Sequence, residues 1–394
     1  SDPVSTTAPR PLPPRVVVVI DDLHRPNGIV SCVDLLAGQM LQEGIVVDIL
    51  CFGPCDPDLA QRHRVITALP GRRYTSAMAG FERSKAVLKP LRHALTALWW
   101  PVASARLRRL ARHWGPEALV IGAGLDAVRL LDRAGVRPRI LVSQVHADVE
   151  ALTPAQWALV RGASTVSRII TALTPEGARR LQDRGIPAVF LPNPAPEAGG
   201  RADVGGSRTV VYLGRLSSGK QIDHLIDAFE QAAPEDWRLR IYGGGPQEGA
   251  LREHAARARG DIELCGTVDD VGPVLQGAAI HALPSRSEGL SMSILEANMA
   301  GVPTLAYDST PGMRLAMGAG APLVPQGDRQ ALAQALSRLM SDDEARAQAG
   351  RRAYEHGRSF SAHAVVARWI ELWQELRAQE RGHEDRGEPA DLPR

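Results

Sequence analysis

Pro284-Ser285-Arg286-Ser287-Glu288-Gly289-Leu290-Ser291-Met292-Ser293-Ile294-Leu295-Glu296-Ala297 is the stretch from which the rest of the chain can be read. It follows a short run, Ile280 to Leu283, that reads as a buried strand. A loop with one glycine comes next, and a helix opens near Ser291 to Ser293. The first turn of a helix offers unpaired N–H groups and the positive end of the dipole, which suits an anion. Glu288 lies in the loop. Glu296 lies about a turn into the helix, where the dipole favours an acid and a carboxylate can accept two hydrogen bonds at once. Two acids at this spacing are, taken alone, also compatible with two unrelated helix-end acids.

The 394 residues suffice for two domains, and 44% hydrophobic with 23% charged residues describes a globular chain. No apolar run reaches the length of a membrane-spanning helix. Ser1 to Pro14 is rich in Pro, Ser and Thr without a signal-peptide core and reads as a disordered tail, as do residues 381–394. The four cysteines are scattered, which fits reduced thiols in a cytoplasmic protein. Cys51 and Cys55 have no second pair of ligands nearby, and no metal site is expected. The net charge of +2 hides an asymmetry: residues 1–200 carry 24 Lys+Arg and 17 Asp+Glu, so the first half is the one suited to an acidic partner.

Arg15 to Asp22 is a β-branched run ending in acids and reads as a central parallel strand. A loop with Pro26-Asn27-Gly28, a helix from about Val30 to Gln42 and a strand from Val46 to Phe52 complete a βαβ unit of the Rossmann type. Ligands in such sheets sit at the carboxyl ends of strands, which brings Asp21, Asp22, Asn27 and Gly28 forward. Asp56-Pro57-Asp58 has the spacing of an Asp-x-Asp metal motif but reads better as a solvated turn. Residues 83–116 contain eight Lys and Arg, no acid, and Trp99, Trp100 and Trp114. This is either a basic segment for an anionic membrane or polymer, or long helices with a solvated basic face and tryptophans in the core. No nucleic-acid module is recognisable.

Further strands are expected at Ala118–Ile121, at Arg139–Ser143 (leading into His146), and within Ser164–Thr174 ahead of a helix beginning at Pro175. Pro192-Asn193-Pro194 closes a first domain over 15–195. Residues 196–207 are Gly-, Ala- and Pro-rich and read as a linker. The second domain, 208–358, opens with a strand ending in Gly214, then Arg215 and Lys220 straddling a loop before a helix from Ile222. Arg238 to Tyr242 feeds Gly243-Gly244-Gly245-Pro246, where glycines permit close approach of a ligand. A short strand, Ile262 to Cys265, precedes Val268. Ala331 to Met340 forms an amphipathic helix. A last helix over about 359–380 carries Trp369 and Trp373 on one face.

Taken in order, these features resemble the retaining GT-B glycosyltransferases of family GT4, and Glu288 with Glu296 is similar to that family's E-x7-E signature. The loop Ile20 to Gly28 faintly resembles members that glucosylate poly(glycerol phosphate). The resemblance implies an α/β GT-B fold: two Rossmann-like domains with parallel sheets facing a central cleft, the last helix returning to the first domain. It implies metal- and cofactor-independent transfer of a hexose, with retention, from a nucleotide sugar. Uridine is the base the family most often uses. Gly214, Arg215 and Lys220 would hold the diphosphate, whose growing negative charge two cations stabilise. Glu296 would grip the ribose, and Gly243, Gly245 and the Val268 backbone would lie by the nucleotide. Glu288 and the amides of Gly289, Leu290 and Ser291 would orient the sugar. His146 and Asn27-Gly28 would act from the other wall. Two departures stand out: Asn27-Gly28 replaces a double glycine, and Thr310-Pro311-Gly312-Met313-Arg314 replaces a Gly-Gly-x-x-Glu-type turn. The implied acceptor is a glycan, a lipid-linked glycan or a polyanionic polymer, met at the inner face of a membrane through residues 83–116. An epimerase or hydrolase on the same fold, or a non-catalytic binding protein, are the rival readings.

Overall fold

The computed structural model describes residues 11–23, 28–53, 55–68, 89–197, 199–232 and 235–385, with side chains described outside 89–99 and 383–385. Asn27 and residues 83–88 of the basic segment lie outside the described residues.

The first sheet contains β1 (Arg15–Ile20), β2 (Val46–Cys51), β3 (Val65–Thr67), β4 (Leu119–Gly122), β5 (Ile140–Val145), β6 (Ile169–Ala172) and β7 (Ala188–Phe190). Its order is β3-β2-β1-β4-β5-β6-β7 and every pairing is parallel. Its helices are α1 (Gly28–Gln42), α2 (Pro57–Arg62), α3 (Lys89–Ala111), α4 (Leu125–Arg133), α5 (Pro154–Ser164) and α6 (Pro175–Gln182). The second sheet contains β8 (Thr209–Leu213), β9 (Arg238–Tyr242), β10 (Asp261–Gly266), β11 (Ile280–Leu283), β12 (Thr304–Asp308) and β13 (Leu323–Pro325), ordered β10-β9-β8-β11-β12-β13 and again parallel. Around it lie α7 (Ile222–Ala232), α8 (Glu248–Arg257), α9 (Gly272–Gln276), α10 (Met292–Met299), α11 (Pro311–Met317), α12 (Arg329–Ser341) and α13 (Asp343–Gly357), and the chain returns in α14 (Ala362–Asp385).

Parallel strands must be covered on both faces, and the valine run of β1 shows how. Val16, Val18 and Ile20 join one core with α1 and the buried Trp369 and Trp373 of α14. Val17 and Val19 join the opposite core with residues of α4, α5 and α6. Trp373 Nε1 donates to the Glu117 carbonyl at 3.0 Å, and Arg377 pairs with the Glu117 carboxylate, so α14 is pinned to the first sheet. In each sheet the chain winds outward from one strand and returns to its other side, between β1 and β4 and between β8 and β11. Loops leaving strands at such a reversal diverge and leave a crevice at the carboxyl ends.

Four expectations change. Residues 164–168 are not strand: Thr153 and Gln156 form a capping box for α5, which ends at Ser164, and β6 begins only at Ile169. Asp56-Pro57-Asp58 is not a free turn but the start of α2, with Asp56 accepting from the Asp58 amide at 2.8 Å. Residues 11–14 are held rather than loose, since Gln374 Nε2 donates to the Pro11 carbonyl at 2.7 Å and Pro13 is buried. The aromatic side of the basic segment turns inward: Trp114 is buried in the core, and Trp100 is half-buried with the Arg133 guanidinium 5.0 Å above its ring. α13 was not anticipated, because its sequence is mostly polar.

That helix is anchored by Arg346, which is fully buried. Its guanidinium donates to the carbonyls of Val204 (2.6 Å) and Leu339 (2.7 Å) and to Asp343 (2.7 Å), tying the linker to the end of α12. Arg346→Met should cost about 3 kcal/mol, because several carbonyls lose their donor together. Urea titration measures this; a loss below about 1 kcal/mol would mean water replaces the guanidinium freely.

Candidate active site

Three loops at the carboxyl ends of the second sheet are locked by backbone contact. A Cβ on Gly243 would lie 1.8 Å from the Gly214 carbonyl oxygen, and one on Gly245 would lie 2.4 Å from that of Leu216. These two glycines therefore serve the packing of one loop on another, where the sequence pointed to a ligand. Tyr212 is buried and its hydroxyl donates to the Arg215 carbonyl at 3.0 Å, which fixes the start of the Gly214–Lys220 loop. The Arg215 side chain is exposed and has no ion-pair partner among the described residues.

Lys220 ends a single 3-10 turn, Ser218–Lys220. The turn is closed by Gln221 in the left-handed region at φ 50°, where a non-glycine residue needs support. Gln326 supplies it by donating to Gln221 Oε1 at 2.7 Å, and His224 beside it is hydrogen-bonded to the Tyr307 hydroxyl at 2.9 Å. The Arg286 amide donates to the Gly219 carbonyl at 2.9 Å, joining this turn to the loop after β11. The result is a contact between Lys220 Nζ and Glu288 Oε1 at 2.5 Å.

The Glu288–Gly289 peptide is clamped from both sides. Thr310 Oγ1 donates to the Glu288 carbonyl at 2.8 Å while capping α11. A Cβ on Gly312 would lie 1.6 Å from the Gly289 carbonyl oxygen, and one on Gly289 would lie 2.9 Å from that of His146. Leu290 and Ser291 follow as buried residues; Ser291 stands just before α10, with its hydroxyl 3.1 Å from that of Ser293. The first sheet meets this loop through His146, just after β5, and through Gly28, the first residue of α1, whose added Cβ would lie 3.3 Å from Met292 Cγ. The amino ends of α1 and α10 thus face one another. Both His146 ring nitrogens are shut off from solvent, and Asn193 is the side chain that interacts with the ring. Burial lowers its pKa to about 4, with a smaller opposing contribution from Asn193, so the ring is neutral at pH 7.

Glu296 faces away from this contact, into a cavity of about 230 Å³ lined also by Glu197, Gly199, Asp270, Val271 and Gln276. Burial pushes its carboxyl up to about 7. Val268 is 37% exposed. Asp21, at the end of β1, is pushed up to about 6 by burial and by Asp126, although the Ala127 amide donates to it. Gly124 lets it sit close, since a Cβ there would lie 2.5 Å from Asp21 Oδ2 and would push the carboxylate aside. The structure therefore brings Lys220, Glu288, Gly289, His146 and Gly28 to one place, and puts Glu296 at an adjoining cavity. Sequence reasoning passed over Tyr212, Gln221, Thr310 and Gly312. Of these, Thr310-Pro311 carries a legible helix-start signal.

Residues 207–342 match the family model described as glycosyl transferases group 1. This part of the chain is a group 1 glycosyltransferase domain. An exopolysaccharide phosphotransferase of Streptomyces coelicolor is 37% identical over 193 residues, covering 47% of this chain and 20% of that protein. A poly(glycerol-phosphate) alpha-glucosyltransferase of Bacillus subtilis is 26% identical over 165 residues, covering 40% of this chain and 24% of that protein. The chain thus spans about a quarter or less of these two relatives. Anabaena HepE, solved with UDP and glucose, superposes with a TM-score of 0.71 at 16% identity, covering 92% of this chain and 99% of that one. The fold is GT-B.

Glu296 holds its proton more tightly folded than unfolded, so its share of stability falls as pH rises from about 4.5 to about 7. Glu296→Gln should therefore gain on the wild type across that window, by on the order of 2 kcal/mol at pH 8. Thermal melts from pH 5 to 8 give the difference, and parallel curves would refute the burial assignment. Thr310→Val, which loses both the α11 cap and the bond to the Glu288 carbonyl, should cost about 1–2 kcal/mol of stability, with Thr310→Ser near wild type. Equal urea midpoints in all three would show that the Glu288 carbonyl needs no fixing.

Proposed function

We propose that this chain is a retaining glycosyltransferase that moves a hexose from a UDP-sugar to a phosphate-rich polymer or lipid-linked glycan. The observation that carries the reading is the Lys220–Glu288 contact, with Glu288 on the loop that leads into α10 and with Arg215, unpaired among the described residues, at the start of the Lys220 loop. A nucleoside diphosphate brings the negative charge this arrangement suits. Lys220 would exchange Glu288 for a phosphate oxygen, and Arg215 would take another. Glu288, released, would accept from sugar hydroxyls beside the Gly289–Ser291 amides. Glu296 would take the ribose hydroxyls in its cavity. Neutral His146 can donate from one ring nitrogen and accept at the other, which suits a sugar hydroxyl.

The acceptor hydroxyl would attack on the face the departing phosphate leaves. Its proton would pass to that phosphate, so no protein nucleophile is required. This differs from glycoside hydrolysis, where two carboxylates flank the bond. The UDP assignment is supported by HepE having been solved with UDP. The phosphate-rich acceptor is supported by the printed activity of the Bacillus subtilis relative and by the basic first half. No helix among the described residues is long and apolar enough to cross a membrane; contact with the inner face of a membrane would be peripheral.

Nucleoside diphosphate release from UDP-, GDP- and ADP-sugars tests the proposal, using the wild type, Lys220→Ala and Glu296→Ala. Slow release from a UDP-sugar alone, reduced at least a hundredfold in Lys220→Ala, is expected; that factor is about 3 kcal/mol of lost charge stabilisation. Neither release nor binding with any donor would sink the enzyme reading.

A further inference from the structure

On the opposite side of the first sheet from the candidate site, at the amino ends of β4 and β5, lies a depression of about 440 Å³. Arg108 and Arg112 reach it from the end of α3, and Arg137 and Arg139 from the segment entering β5. All four are exposed, and no acid is among the residues that line it. Of the neighbouring acids, Glu117 pairs with Arg377, outside the cluster, whereas Asp132 pairs with Arg137 at 2.9 Å and offsets one of the four charges. Arg108 is aimed by donating to the Ala134 carbonyl at 2.9 Å. Arg112 has no ion-pair partner among the described residues. Gathering like charges around one hollow costs energy that a bound anion relieves. Guanidinium forks match phosphate oxygens two at a time, which a lysine cluster would not do.

The surroundings narrow the class of anion. A surface that enters lipid needs apolar or aromatic side chains around its charges. Here Trp114 lines the floor of the depression but is only 7% exposed, and Trp100 lies beneath Arg133. Single-stranded nucleic acid needs exposed aromatic platforms, and neither of these two rings offers an open face. A flexible chain of phosphodiesters needs only charge, repeated. β4 and β5 are buried and span roughly 13–20 Å at 3.3 Å per residue, so a ligand passes from the depression to the carboxyl-end loops over the surface by a longer path. Only an extended polymer of many units could occupy both.

We propose that this arginine-lined depression is a second phosphate site, which holds a distal stretch of a phosphodiester-polymer acceptor while the polymer's reacting unit lies at the carboxyl ends of the strands. The inference rests on the phosphate-rich acceptor proposed above, and binding tests it separately from turnover. Labelled poly(glycerol phosphate) would be titrated, by fluorescence anisotropy at several salt concentrations, into the wild type, Arg108→Gln/Arg112→Gln and Arg137→Gln/Arg139→Gln. Each pair should weaken binding tenfold or more and flatten its salt dependence. Donor-only nucleotide release should stay at the wild-type rate, which also shows that the variants are folded. Unchanged polymer affinity in both double variants overturns the site. So does wild-type binding to phosphatidylglycerol vesicles, or to single-stranded DNA, without binding to the polymer. Absence of nucleotide release from the wild type would instead count against the transferase reading and leave the binding result standing.

Discussion

The candidate site depends on one steric constraint: three stretches of backbone meet at Gly289 with no room for a side chain. The His146 carbonyl presses from the first sheet and Gly312 from α11, and a Cβ on either glycine would collide with main chain. Main-chain collisions cannot be relieved by rotating a side chain. The position of the Glu288–Gly289 peptide is therefore imposed by elements distant in sequence. Gly243 packing on Gly214 repeats the same solution one loop away. Glycines here stiffen the site by letting loops touch, although an isolated glycine loosens a chain.

On that scaffold, charge is arranged economically. Lys220 and Glu288 are partly exposed, and a pair in such surroundings contributes on the order of 1 kcal/mol or less to folding. It is correspondingly easy to exchange for a better anion. The support beneath it is less easily moved: Gln221 in a left-handed conformation, held by Gln326, beside the His224–Tyr307 hydrogen bond. A cheap contact on an expensive platform lets a ligand displace the contact without disturbing the geometry.

Much of this was legible in the sequence. Val16 to Ile20 announced a strand buried on both faces, and the run from Pro284 to Ala297 announced strand, loop and helix; both are local patterns of period and capping. The acid at 288 and the cation at 220 were legible as candidates, but their contact was not, because 68 residues separate them. The glycines at 243 and 245 were legible as close-approach positions, but the sequence does not say what approaches. α13 was missed because its main anchor is a single arginine satisfying carbonyls from two other segments, which leaves little hydrophobic period to find. The basic segment was left with two readings for a related reason: spacing along a helix does not reveal which side the core lies on.

The two sheets contribute to the site in different ways. The second sheet's side is built mainly of backbone contacts and paired groups, with Ser285 Oγ and Ser309 Oγ left buried and unpartnered among the described residues. The first sheet's side holds more such groups: Asp21 Oδ1 and both polar atoms of Gln144 are buried without a partner among the described residues, and His146 is buried with Asn193 as its polar neighbour. Each such group costs about 1–3 kcal/mol, and folds retain them where something other than folding uses them. A neutral imidazole and a carboxyl with its pKa raised to about 6 can each donate or accept near neutral pH. Hydroxyl-bearing molecules ask for that versatility, whereas a diphosphate asks for fixed cations. The division of chemistry between the sheets thus follows from how each was folded: cationic where Arg215 and Lys220 stand, adaptable where the neutral His146 and the readily protonated Asp21 stand.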